Sequence, residues 1–120
     1  MKKLALLLVV AIMAISCQSQ NNSKIKVVPM AEFKTEISKG NVQLIDVRTP
    51  EEFSEGAIQN AKNINVNDDF FESEVQKLDK TKPVYVYCRS GMRSQKAAQK
   101  MIELGFIQVI DLEGGFLSWK

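Results

Sequence analysis

Apolar and polar positions along this chain fall into short blocks whose period changes repeatedly. Ile25 to Val28 is a brief, mostly apolar stretch cut off by Pro29, as suits a first strand. Ala31 to Lys39 follows, with Phe33 and Ile37 four residues apart and Gly40 just beyond, the spacing and stop signal of a helix. Val42 to Val47 reads as a buried strand ending in charge, and Pro50 opens a short helical turn over Glu51 to Glu55. Asn63 to Val66 is expected to be a third strand. Phe70, Phe71, Val75 and Leu78 recur at helical spacing, with Asp69 as the expected cap. Val84-Tyr85-Val86-Tyr87, after Pro83, is the clearest strand. A compact loop from Cys88 to Ser94 leads into a helix reaching Leu104, with Ala97, Ala98, Met101 and Ile102 on one face and Gly105 at its end. Ile107 to Leu112 is expected as a fifth strand, and Gly114-Gly115 introduces a last helical turn with Trp119. Strand and helix alternating at this spacing predict an α/β fold, a parallel sheet covered by helices on both faces.

The first sixteen residues follow another pattern. Lys2 and Lys3 precede an unbroken apolar run from Leu4 to Ile15, and Ser16, Cys17, Gln18 and Ser19 follow it. That is the layout of a secretory signal peptide. Twelve helical residues span about 18 Å against roughly 30 Å of bilayer hydrocarbon, too little for a permanent transmembrane helix. Ala14-Ile15-Ser16-Cys17 is similar to a bacterial lipobox, which places cleavage before Cys17 and a lipid on its sulfur. An ordinary signal peptidase fits the same bond and would leave Cys17 a free thiol. Gln18 to Lys24 holds no apolar residue, as a tether between anchor and fold requires. The expected organisation is a signal peptide over 1–16, a polar tether over 17–24 and one domain over 25–120, held on the periplasmic side of the cell envelope through a lipid anchor.

Charge and composition then narrow the function. Of 16 basic and 14 acidic residues, two lysines belong to the signal segment, so the mature chain is balanced. Without a basic stripe, no nucleic-acid partner is expected. The chain has no histidine and two cysteines, of which Cys88 alone lies in the domain. Ligands for a zinc site and partners for a disulfide scaffold are therefore lacking, and no metal or cofactor is called for.

Cys88 is the candidate nucleophile. Sites in open α/β folds form beyond the carboxyl ends of strands, and Cys88 follows the most strand-like segment. Arg89, Ser90, Gly91, Met92 and Arg93 can curl so that their N–H groups converge on the sulfur, with Gly91 supplying unusual backbone angles. The helix start and the two arginines favour thiolate over thiol. A lone cysteine is by default a packing residue, but packing has no use for two flanking arginines and a glycine.

Several spaced motifs then bring a family into view. Asp46-Val47-Arg48-Thr49-Pro50-Glu51-Glu52-Phe53, Gly56-Ala57-Ile58, Ala61-Lys62-Asn63-Ile64, the C-R-S-G-M-R-S loop and Leu112-Glu113-Gly114-Gly115 with Trp119 together resemble the rhodanese domain, from about Val27 to Lys120. The resemblance implies a five-stranded parallel sheet between helices, and Cys88 as the cysteine that carries a persulfide. Ala57 and Gln59-Asn60 stand where that family usually has histidine and proline-glycine, a change of turn packing outside the loop. Phosphatases that resemble this fold place five residues between cysteine and arginine. Four separate Cys88 from Arg93, a smaller cradle suited to a single sulfur on cysteine.

The implied reaction is ping-pong transfer of a sulfane sulfur from thiosulfate or a similar donor to a thiol, cyanide or protein acceptor. In it the N–H groups of residues 89–93 steady the anionic sulfur, and Arg89 meets the anionic donor at the mouth. Arg93 either faces substrate or pairs with a carboxylate such as Asp46. Ser94 either caps the helix, its more common use, or bonds the cysteine sulfur. Asp46 and Arg48 are read as structural, with Arg48 bridging to Glu52, and Phe116 and Trp119 as packing. Two alternatives stand beside this reading. One is a module that binds a protein partner, or delivers sulfur to it, without general thiosulfate activity. The other is a redox thiol, which would want a resolving cysteine.

The amino-terminal pattern generates a first prediction. Labelled fatty acid is expected to enter the wild-type protein and not Cys17→Ala, and the wild type to fractionate with envelope membranes. A soluble, unlabelled wild-type protein would leave export standing and remove the anchor.

Overall fold

The computed structural model describes residues 23–120; the signal segment, Cys17 and most of the tether lie outside them. Five strands and four helices alternate: β1 (Ile25–Val28), α1 (Met30–Ile37), β2 (Gln43–Asp46), α2 (Pro50–Glu55), β3 (Lys62–Asn63), α3 (Phe71–Val75), β4 (Val84–Tyr87), α4 (Met92–Glu103) and β5 (Val109–Leu112), closed by a 3-10 turn over Gly115–Ser118. The strands form one parallel sheet in the order β1-β5-β4-β2-β3, the expected α/β architecture. No helix among the described residues is long and apolar enough to cross a membrane.

Alternation along each strand builds two cores. Ile45, Val84, Val86 and Val109 face α3 and α4, packing with Phe71, Val75, Ala97, Ala98 and Met101. Leu44, Tyr85, Tyr87, Ile110 and Leu112 face the other way, onto Phe33 of α1 and the carboxyl-terminal Phe116 and Trp119. Both faces being covered, β4 and β5 are buried at every position, and that is why they read as apolar runs rather than as strict alternation.

Three elements differ from the pattern-based expectation. The third strand pairs only at Lys62 and Asn63, although Ile64 and Val66 still donate their N–H groups to the Asp46 and Val47 carbonyls; the chain follows the edge of β2 with every second residue bonded. The fifth strand begins at Val109, because Ile107 is half exposed and its N–H bonds the Lys80 carbonyl instead of a strand. Asp69 does not cap α3. Phe70 occupies the cap position without a side-chain bond, 69% exposed, while the Asp68 carboxylate accepts its N–H at 2.7 Å. Helical spacing could not separate the buried Phe71 from its exposed neighbour.

The terminal turn closes the end of β4. Phe116 N–H donates to the Cys88 carbonyl at 2.7 Å and Leu117 N–H to that of Arg89 at 3.1 Å. Backbone approaches backbone here because Gly115 has no side chain. Its φ is +63°, and a Cβ would lie 2.5 Å from the Arg89 carbonyl and 2.6 Å from the Cys88 oxygen. Gly115→Ala is therefore expected to cost roughly 2–4 kcal/mol through left-handed strain and overlap, lowering the melting temperature by roughly 10–20 °C. An unchanged melting curve would mean that the turn is not packed this way.

Candidate active site

Cys88 is the first residue after β4 and is 1% exposed. The chain turns back over it at Gly91, whose φ of +119° is a conformation glycine adopts readily. That turn brings the Gly91 N–H to 3.0 Å from the Cys88 Sγ. Cys88 Sγ in turn donates to Ser94 Oγ at 3.5 Å, and the Ser94 hydroxyl donates to the Gly91 carbonyl at 3.1 Å. The sulfur thus sits against the start of α4, where helix N–H groups carry partial positive charge. Arg89, Ser90 and Met92 are exposed around it.

Two ion pairs hold the loop in place, with partners exchanged relative to the sequence reading. Arg93 does not pair with Asp46. It makes a two-pronged contact with Glu52, Nη1 to Oε1 at 2.7 Å and Nη2 to Oε2 at 2.9 Å. Arg48 does not bridge to Glu52 but folds back on Asp46, with Nε 3.0 Å from both carboxylate oxygens and Nη2 2.6 Å from Oδ2. The exchange has a local cause. Arg48 lies two residues beyond Asp46 at the end of β2, so its short route is backwards, where it also donates to the Gly56 carbonyl and lies 4.5 Å over Phe116. Glu52 is the third residue of α2, and its carboxylate accepts the Thr49 N–H in a capping box. That leaves it facing the first turn of α4, where Arg93 stands.

Electrostatics follow this geometry. The Arg93 contact, helped by the Thr49 bonds and opposed by burial, holds the Glu52 carboxyl down at about 2. Hydrogen bonding to Glu52 likewise raises Arg93. With Arg93 and Arg48 both engaged, Arg89 is the exposed cation of the loop.

Ser94 takes the role expected to be the less common one. Gly91 occupies the cap position of α4, without a side-chain cap, and Ser94, three residues on and 0% exposed, touches the sulfur. Phe116 stacks on Tyr87 with ring centres 6.0 Å apart and Trp119 meets Phe33 edge-on, packing as expected. Asp111 was not singled out in the sequence. It is 1% exposed on β5 and lines, with Ser90, Gly91 and Gln95, a cleft of about 390 Å³ beside the loop. Its one signal was a charge inside the strand V-I-D-L. Among the described residues no group of three or more acids and cysteines is placed to hold a metal ion.

A model of the rhodanese-like domain family matches residues 29–120. The chain is 38% identical over 84 residues to the thiosulfate sulfurtransferase GlpE of Coxiella burnetii, covering 70% of this chain and 77% of that protein. It is 37% identical over 98 residues to the putative sulfurtransferase YtwF of Bacillus subtilis, covering 81% and 92%. Among solved structures, a rhodanese-like domain protein from Staphylococcus aureus superposes with a TM-score of 0.68 at 32% identity, over 79% of this chain and 91% of that one. The human single-domain sulfurtransferase TSTD1 does so with 0.65 at 25% identity, over 78% and 93%.

The Arg93–Glu52 contact can be tested by mutation and by acid. Arg93→Ala is expected to cost about 1–2 kcal/mol, the loss of a half-buried charge-assisted pair, and to lower the melting temperature by roughly 5–10 °C. The folded Glu52 value lies below its ordinary 4.5, so its contribution is complete above that pH and is lost as pH falls toward about 2. Glu52→Gln should therefore lose less stability than wild type across that window. Parallel acid-unfolding profiles would contradict the contact.

Proposed function

The chain belongs to the rhodanese-like domain family of sulfurtransferases, and on that premise we propose that it moves a sulfane sulfur from thiosulfate, or a similar anionic donor, to a thiophilic acceptor through a persulfide on Cys88. The observation that carries the reading is the cradle itself. The Cys88 Sγ lies 3.0 Å from the Gly91 N–H at the start of α4, so negative charge on sulfur meets a fixed donor.

In the first half-reaction the Cys88 thiolate attacks the outer sulfur of thiosulfate. The new S–S bond forms as the bond to the sulfonate sulfur breaks, and sulfite leaves with the electron pair. No proton is needed by that leaving group. Cysteine persulfide anion remains in the loop, where the N–H groups of residues 89–93 can steady it. In the second half-reaction cyanide or a thiolate attacks the outer persulfide sulfur, leaves as thiocyanate or a new persulfide, and restores the Cys88 thiolate. Arg89 meets the donor, because Arg93 is bound to Glu52 and Arg89 is exposed. A planar guanidinium suits a sulfonate group. Delivery would take place on the periplasmic side of the envelope, with the domain tethered by a lipid on Cys17.

Cys88→Ser is expected to abolish thiocyanate production from thiosulfate and cyanide with the fold intact. Thiosulfate-treated wild type should gain the mass of one sulfur atom on the Cys88 peptide. Arg89→Ala should raise the KM for thiosulfate roughly tenfold, about 1.4 kcal/mol of lost charge-assisted contact, with little change in melting temperature. Unchanged turnover in Cys88→Ser would overturn the mechanism.

A further inference from the structure

Beside the loop lies a cleft that the sulfur-transfer steps above do not use. It encloses about 390 Å³, within the range of a small-molecule site. Gly91 belongs to both places: its N–H lies 3.0 Å from the Cys88 Sγ, and it lines the cleft. A Cβ on Gly91 would lie 4.0 Å from the Gly114 nitrogen, so the Glu113–Gly114 peptide passes against the loop that covers the sulfur. A molecule in the cleft therefore stands within one residue of the reacting atom.

The lining has a definite chemical character. Val27 of β1 and Met92 of α4, both exposed, supply apolar walls, and Gln95 of α4 offers an amide. Two acids join them. Glu113 is exposed, while Asp111 is 1% exposed and its Oδ1 is buried without a hydrogen-bond partner among the described residues. No lysine or arginine stands among the described residues of the lining. Lys26, next to Val27, projects from the other face of the sheet. Arg93 is held by Glu52, and Arg89 lies outside the lining. A buried oxygen without a donor is costly, and an ammonium group brings three donors. Glu113 draws the same group by charge and repels an anionic one.

We propose that this cleft is the acceptor subsite of sulfur transfer and selects a small thiol bearing a cationic amine, an aminothiol of the cysteamine type, with Glu113 as the specificity-determining residue. The proposal rests on the persulfide at Cys88. The acceptor enters as its thiolate, its ammonium toward Glu113 and Asp111 and its sulfur toward Gly91. That sulfur attacks the outer persulfide sulfur. The new S–S bond forms as the bond to Cys88 Sγ breaks, the electron pair stays on Cys88 as thiolate, and the aminothiol leaves as its own persulfide. The ammonium keeps its proton throughout. Donor and acceptor thus carry opposite charges and are sorted by different groups, Arg89 for the anion and Glu113 for the cation. The backbone of Glu113 gives its N–H to the Val28 carbonyl and accepts from the Ser118 hydroxyl. Glu113→Gln removes the charge and leaves both bonds in place.

The test discharges a preloaded persulfide. The full chain is treated with thiosulfate, freed of excess, and checked for the mass of one added sulfur on the Cys88 peptide. Cysteamine, mercaptoethanol or mercaptopropionate is then added, and loss of that mass is timed in wild type and Glu113→Gln. Comparing each thiol across the two proteins cancels its own thiolate fraction and nucleophilicity. Glu113→Gln is expected to slow discharge by cysteamine roughly three- to fivefold, the size of one exposed charge contact, while mercaptoethanol stays within about twofold and mercaptopropionate gains. An equal change for all three thiols, or none, overturns the proposal. Occupancy is read separately in the unloaded protein. S-methylcysteamine, which has no thiol, should shift the amide resonances of Gln95 and Glu113 at millimolar concentration, and shift them less in Glu113→Gln. Resonances that stay in place overturn the subsite. Failure of thiosulfate to add mass at Cys88 would instead defeat the functional reading, with the resonances left to decide the cleft.

Discussion

The carboxylate of Glu52 is shared between two helix starts, and the geometry of the loop depends on that sharing. On one side it closes the capping box with Thr49 at the head of α2; on the other it grips Arg93 in the first turn of α4. Neither helix start is placed by its own sequence alone. Tied together, they fix where α4 begins relative to the end of β2, and so where the Gly91 N–H stands relative to the Cys88 sulfur. The second pair, Asp46 with Arg48, holds the end of β2 from beneath. Both members are almost fully buried, and the carbonyls of both residues accept from the Asn63 amide. A buried pair of this kind is costly to break because it strands the surviving charge.

These pairs also sort the charges of the site. Of the three arginines in the chain, Arg48 and Arg93 are paired with carboxylates and Arg89 is exposed. Exposed positive charge is thereby left at Arg89, on the open side of the loop, while the Ser94 hydroxyl meets the sulfur on the buried side. The sulfur meets a backbone donor at Gly91 on one side and a side-chain hydroxyl on the other.

The fold and the position of the candidate nucleophile were legible because their signals are local. Strand and helix periods, Gly105 after α4, and a cysteine followed by a glycine-bearing loop each depend on a few adjacent residues. The departures came where neighbours in space outweigh neighbours in sequence. Asn63 to Val66 has a strand-like pattern, yet it lies at the sheet edge and pairs for two residues only. Phe70 and Phe71 are equivalent to any local rule, and the direction in which α3 meets the sheet leaves one exposed and the other buried.

By itself the sequence determined the α/β layering, the order of the elements and the place of Cys88 after β4, since hydrophobic period and backbone freedom are carried by the residues themselves. Tertiary structure decided which acid meets which arginine: Asp46 and Glu52 are interchangeable in charge, and only the positions of β2, α2 and α4 separate them. It also decided that Ser94 reaches the sulfur instead of capping the helix, and that the acid in V-I-D-L is buried beside the loop. Those choices depend on distances between segments far apart in the chain, and electrostatic partners are chosen by distance.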